Sequence, residues 1–207
     1  MQIRLGLHNH SQMSDGYFTV GGLLRYLKDS GYDVIAITDH NAYTVPHPIQ
    51  IRENKVEDLL ILRGIEVTFP RIHIICLEPM KRETVKDCLG TARVSYIAHP
   101  SFSGLNPFDC RMICDKYHLD GVEIYNCGHI NFKGDFDGNL YAGDDLHIPS
   151  QVLTSWIEMD VGSLDKETVL EKLQAGDYKL FNKPQTYLPA RSGSPFMATF
   201  KREMTEE

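Results

Sequence analysis

The stretch Gln2-Ile3-Arg4-Leu5-Gly6-Leu7-His8-Asn9-His10 decides how the rest of the chain is read. Ile3, Leu5 and Leu7 alternate with other residues at the period of a β-strand. The run is followed at once by two histidines spaced i and i+2. Side chains two apart on an extended chain point to the same side, so His8 and His10 can reach one metal ion. Further β-type runs follow at Asp33 to Ile37, Leu59 to Ile65, Ile72 to Leu77, Val94 to Ala98, Gly121 to Tyr125 and Leu140 to Ala142. Several are near-continuous in Val, Ile and Leu, as strands buried on both faces are. Helix-like segments lie between them at Val20 to Asp29, closed by Gly31, then Arg82 to Leu89, Asn106 to Lys116, and Asp165 to Ala175, closed by Gly176. This alternation predicts an α/β fold of parallel βαβ units, in which active sites gather at the carboxyl ends of the strands.

The polar residues that follow the other runs continue the pattern. Asp15-Gly16 stands five residues after His10, Thr38-Asp39-His40 follows the second run, and Glu66 follows the third. His99 ends the fifth run, and Asp144-Asp145-Leu146-His147 follows the last. His73 departs from the rule, because it enters a strand instead of leaving one. Six of the nine histidines sit in these motifs with carboxylates beside them. Imidazole and carboxylate ligands without cysteine suit Zn, Mn or Fe. The number of acids points to more than one ion, since one carboxylate can bridge two cations. Such a site lowers the pKa of a bound water and clamps phosphate oxygens during in-line attack.

Bulk properties narrow the class. The 207 residues, 42% hydrophobic and 24% charged, suit one globular domain. No run approaches the ~20 apolar residues that span a bilayer, and the N-terminus enters a strand pattern without a leader, so the expected location is cytoplasmic. Five cysteines without a CxxC pair are expected to be buried free thiols. The formal net charge of -7 argues against generic nucleic-acid binding and favours a small substrate, although bound cations reverse the local field.

In order, HxH, DG, TDH, IE after a strand, AHP and DxH resemble the PHP superfamily of polymerase and histidinol phosphatase domains. The resemblance implies a distorted seven-stranded (β/α) barrel, a single domain over residues 1–207 with 185–207 peripheral, and three divalent metals. Carried over position by position, it implies that His8, His10 and Asp145 hold the first metal and that Glu66 bridges the first and second. His73 and His99 complete the second site; Asp15, His40 and His147 hold the third. Asp144 competes with Asp145, but only Asp145 keeps the two-residue spacing to His147. Asp39 is read as orienting an imidazole or a nearby turn. Glu66, Asp145 and His99 are expected nearest the chemistry.

Glu123 and Asn126 leave another strand toward the same rim as orienting or substrate-contacting candidates. His47 and His118 lack a partner motif, and His129 is a candidate proton donor to a leaving group. Arg71, Arg93, Lys183 and Arg191 are candidates for holding the phosphate. The resulting expectation is hydrolysis of a phosphoester by a metal-bound hydroxide. The substrate would be a small phosphorylated metabolite, a nucleotide or an oligonucleotide end, with no membrane partner and no polymerase region. The alternatives are a metal-binding accessory module without turnover and a hydrolase of a non-phosphate bond. Oligomeric state is left open.

Overall fold

In the computed structural model, which describes residues 1–132 and 135–184, the opening run forms β1 (Gln2–Gly6), followed by α1 (Val20–Asp29) and β2 (Val34–Ile37). Then come α2 (Pro48–Glu53), β3 (Leu60–Phe69), β4 (Ile72–Leu77), α3 (Val85–Thr91) and β5 (Val94–Ala98). The remainder comprises α4 (Pro107–Tyr117), β6 (Gly121–Asn126), β7 (His129–Ile130), β8 (Asn139–Gly143), β9 (Ser155–Asp160), α5 (Lys166–Ala175) and β10 (Lys179–Asn182).

All ten strands belong to one sheet, ordered β10-β9-β1-β2-β3-β4-β5-β6-β7, with β8 also on β6. The sheet curls nearly into a barrel. Beyond β8 the chain bridges back to the segment after β1, through Asn9 and Leu146, with His10 N–H donating to Leu146 O at 3.0 Å. Thus β1, β2, β3, β4, β5, β6 and β8 pair in succession and meet again at the rim.

One expectation is corrected. The described residues hold ten strands in one nearly closed sheet, and that sheet is mixed where parallel units are expected. β4 runs antiparallel to both β3 and β5, and β9 runs antiparallel to β1. β9 and β10 escape the sequence reading because Ser155–Asp160 and Lys179–Asn182 are short and mix polar with apolar residues. α2 escapes because none of its residues is buried. It is held instead by His47, whose ring accepts from Ile49 N–H while Gln50 caps the His47 backbone.

β2 shows why its sequence is continuously apolar. Val34 and Ala36 join the barrel interior with Leu5, Leu62, Ile75 and Tyr96. Ile35 and Ile37 face the other way, onto Leu23, Leu24 and Leu27 of α1. The helix begins where Thr19 accepts from Gly22 N–H and stops before Gly31, whose φ of +89° suits glycine. The five cysteines are buried and free. Residues 185–207, including Arg191 and the segment expected to be peripheral, lie outside the described residues.

Candidate metal centre

The reversed strand accounts for His73. Because β4 is antiparallel, its first residues lie at the rim where β1, β2 and β5 end, and His73 pairs with Thr68 and Ala98 in the ladder. His99 then follows β5, and Glu66 lies within β3, which extends further than the sequence indicates. The nine residues expected as ligands therefore converge on one rim.

At the centre is Glu66, with no exposed surface. Its Oε2 lies 3.3 Å from His8 Nε2, 3.2 Å from His10 Nε2 and 3.1 Å from His40 Nδ1. Its Oε1 lies 2.8 Å from His73 Nδ1 and 3.1 Å from His99 Nε2. Asp145 Oδ1 stands 3.3 Å from both His8 and His10. Asp15, half exposed at the edge, faces His147 at 3.3 Å and His40 at 3.6 Å. Donor atoms close enough to share an ion form four overlapping groups among the described residues: His10, Asp15, His40 and His147; His8, His10 and Glu66; His8, His99 and Asp145; and His40, Glu66 and His73.

The donor set passes a test of fit to divalent cations. His10 Nε2, Asp145 Oδ1 and His99 Nδ1 are buried and have no hydrogen-bond partner, although buried polar atoms are normally satisfied. Two of these atoms, His10 Nε2 and Asp145 Oδ1, point at each other across 3.3 Å, a geometry that a shared cation satisfies. His99 and Asp145 also hold positive φ angles of 27° and 50°. Such strain costs about 1–3 kcal/mol and persists where the surroundings dictate it.

A second layer sets the ring orientations. Glu123 spans two histidines of the cluster, with one oxygen 3.1 Å from His8 Nδ1 and the other accepting from His99 N–H at 2.9 Å and from Asn126. This leaves His8 Nε2 facing Glu66 and Asp145. Gly143 makes room for that contact, since a Cβ there would sit 2.4 Å from Glu123 Oε1 and 2.7 Å from His8 Cβ. His147 turns its Nδ1 to the Asp145 carbonyl at 2.9 Å, which aims Nε2 at Asp15. Asp39 accepts from Ser11 N–H and from the hydroxyls of Ser11, Ser14 and Thr44. It thereby pins the loop that carries Asp15.

The two neighbouring acids have separate tasks. Asp144 is consumed by Tyr32 Oη–H, by the N–H groups of Leu153, Thr154 and Ser155, and by the Thr154 hydroxyl. Asp145 alone points into the cluster.

The cluster shifts its own acidities. Burial alone would lower His8, His10, His99 and His147, but the carboxylates around them outweigh it and raise all four. Burial would raise Glu66 and Asp145, yet the surrounding imidazoles hold both well below the usual range. The His147 hydrogen bond leads the lowering of Asp15 to about 2. His40, with burial as the largest cause, is lowered.

The other candidates separate. Arg93 precedes β5 whereas His99 follows it, and its guanidinium binds Glu167 at 3.0 Å. A strand's length from the cluster, it is withdrawn as a phosphate contact. Lys183 stacks its ammonium over the Trp156 ring, 4.9 Å from the centroid. Arg71 is exposed in the turn between β3 and β4, two residues from His73. His129 lies exposed on β7, paired in the ladder with Asn126. His47 caps α2 and His118 ends α4. The sequence does not reveal that Glu123 links His8 and His99, because they lie 115 residues before it and 24 residues before it.

Fold and site together define a class: a mixed α/β barrel-like sheet carrying a histidine–carboxylate cluster at one rim. Solved structures share the fold. A two-domain Bacteroides vulgatus protein, described as containing a predicted PHP-like metal-dependent phosphoesterase, matches at TM-score 0.66 and 15% identity, over 88% of this chain and 65% of that one. An amidohydrolase from Chromobacterium violaceum, solved with sulfate and no metal, matches at TM-score 0.55 and 14% identity over 86% and 97%. The lesion-specific endonuclease PfuEndoQ from Pyrococcus furiosus matches at TM-score 0.55 and 14% identity over 87% and 58%. The chain thus spans less than two thirds of the first and third of these proteins. No family model and no curated protein sequence matches the chain.

Three outcomes follow from this geometry. Asp144→Ala strands three backbone N–H groups and should lower stability by about 2–4 kcal/mol in chemical denaturation, whereas Asp145→Ala should fold and bind less metal; the reverse pattern would reassign the two acids. Glu123→Gln should weaken metal affinity by about 10–100-fold in a competitive chelator titration, and unchanged affinity would show that His8 needs no such partner. The raised imidazoles contribute stability that is complete below their unfolded pKa of about 6.5 and is lost as pH rises through the higher folded values. The lowered carboxylates contribute above their unfolded values of about 4, and lose it only as pH falls toward the folded ones. Between about pH 6 and about pH 8 the imidazoles alone must surrender protons to bind metal. Zinc affinity by calorimetry should therefore climb across that window with proton release, and a flat profile would contradict the assignment.

Proposed function

We propose that this chain is a PHP superfamily enzyme that hydrolyses a phosphoester with the help of divalent metal ions. The observation that carries the reading is Glu66, a fully buried carboxylate faced by five imidazoles. A lone charge so placed is costly unless it is matched by cations. The succession β1, β2, β3, β4, β5, β6 and β8 is consistent with the family's distorted seven-stranded barrel, with β7, β9 and β10 added to it.

In this reading His8, His10, Glu66 and Asp145 hold the first ion, Glu66, His73 and His99 the second, and Asp15, His40 and His147 the third, with Zn, Mn or Fe as candidates. When bound, the ions would supply Lewis acidity toward a phosphate and acidify water. The chain's own part is positioning. Glu123 fixes His8 and the His99 backbone, Asp39 fixes the Asp15 loop, and the half-exposed Asp15 and the less exposed His147 form the entrance. Arg71 stands where it can meet an arriving anion.

The substrate proposed is a small phosphorylated metabolite, a nucleotide or an oligonucleotide end; the endonuclease among the fold neighbours supports the last. The amidohydrolase among them supports a second reading, hydrolysis of an amide. No helix among the described residues is long and apolar enough to cross a membrane.

Elemental analysis of the purified protein, paired with phosphate release from p-nitrophenyl phosphate and nucleotides with and without Mn, tests the proposal. Two or three metals per chain and metal-dependent release are expected, and Glu66→Gln should lose both metal and at least ~100-fold in turnover. Amide cleavage without phosphate release would favour the second reading, and metal binding without any turnover would favour an accessory module.

A further inference from the structure

A cleft of about 590 Å³ opens directly beside the proposed centre, and two of its lining residues, Asp15 and His147, belong to the cluster. Its volume is that of a small-molecule site. The remaining walls come mostly from residues near those two in sequence, among them Gln12, Tyr17 and Phe18 from the Asp15 loop and Ile148 after His147, with Gly22 of α1. Cleft and cluster are mechanically one unit, since Tyr17 N–H donates to His147 O at 2.7 Å and Gln12 Nε2 donates to Tyr17 O at 3.0 Å.

The lining is mostly apolar, with the two aromatic rings of Tyr17 and Phe18, and contains neither Lys nor Arg. Tyr17 is 60% exposed and Ile148 51% exposed. Tyr17 stands edge-on to Phe18, with centroids 5.2 Å apart and planes at 88°, and Phe18 in turn stacks on Tyr26 at 4.7 Å. The Tyr17 ring is thus braced while its surface remains open. The only acid in the lining, Asp15, lies at the cluster end. A second phosphate would meet no basic side chain, and at the nearby start of α1 the Gly22 N–H already donates to the Thr19 side chain.

We propose that this cleft seats an uncharged planar ring carried by the leaving alcohol of the phosphoester, with Tyr17 as the specificity-determining contact. This rests on the phosphoester reading and narrows it to substrates such as nucleoside monophosphates, whose heterocycle lies a few bonds from the phosphate. Base–aromatic contacts contribute about 1–3 kcal/mol per ring, a roughly 5- to 150-fold preference.

Adenosine 5′-phosphate and ribose 5-phosphate separate ring recognition from chemistry, because both leave through a primary ribose hydroxyl. The zinc-loaded protein should hydrolyse the former with kcat/KM at least about tenfold higher, through KM. In calorimetry adenosine should bind at least about tenfold more tightly than ribose. Tyr17→Ala should erase both preferences, and Tyr17→Phe, which keeps the ring, should retain them. Equal handling of the paired ligands by the unaltered protein, or preferences untouched by Tyr17→Ala, would overturn the assignment while leaving phosphoester hydrolysis standing. Tyr17-dependent adenosine binding without hydrolysis of either phosphate would support the ring site and refute the phosphoester reading.

Discussion

The burial of Glu66 is the constraint on which the rest of this structure depends. A carboxylate with no exposed surface must be compensated, and five imidazoles contributed by four different parts of the chain surround it. Each has to arrive from its own strand end. The barrel-like curl of the sheet brings those ends within a few ångströms of one another. The shifts in acidity are the same fact seen electrostatically, with His8, His10 and His99 raised and Glu66 lowered because each stabilises the charged form of the other.

Convergence requires strands of both directions. β1, β2 and β5 deliver His8, His10, His40 and His99 as they end, but a sheet of parallel strands alone would carry His73 to the far rim. Reversal of β4 places the start of that strand beside Thr68 and Ala98. The tight turn at Pro70 and Arg71 makes this reversal. The return from β8 to the segment after β1, through Leu146, closes the opposite side and sets Asp145 against His8 and His10.

Around the cluster, rigid and open parts divide the work. Glu123, Asp144 and Asp39 are buried and saturated with hydrogen bonds. Asp15, His147 and Tyr17 lie partly open on loops. Side chains held by packed strands keep their geometry, whereas those on open loops have more freedom. The cleft lined by Tyr17 and Ile148 shares Asp15 and His147 with the cluster, so the two form one continuous surface.

The sequence by itself determined the local terms. Alternation in Gln2 to Leu7, the helix over Val20–Asp29 with its terminating Gly31, and the histidine and carboxylate motifs at strand ends are set by short-range periodicity and side-chain chemistry. Only the tertiary structure decided the long-range ones. It gave Asp144 its separate task by tying that carboxyl to Tyr32 and to the 153–155 backbone, and set Arg93 at the end of β5 far from the cluster. It made Glu123 a link between His8 and His99, and added β9 and β10, whose short mixed sequences carry little periodic signal. The physical reason is that spacing along a chain reports which side a residue faces. Direction of a strand and the identity of distant partners emerge only when the sheet pairs and closes.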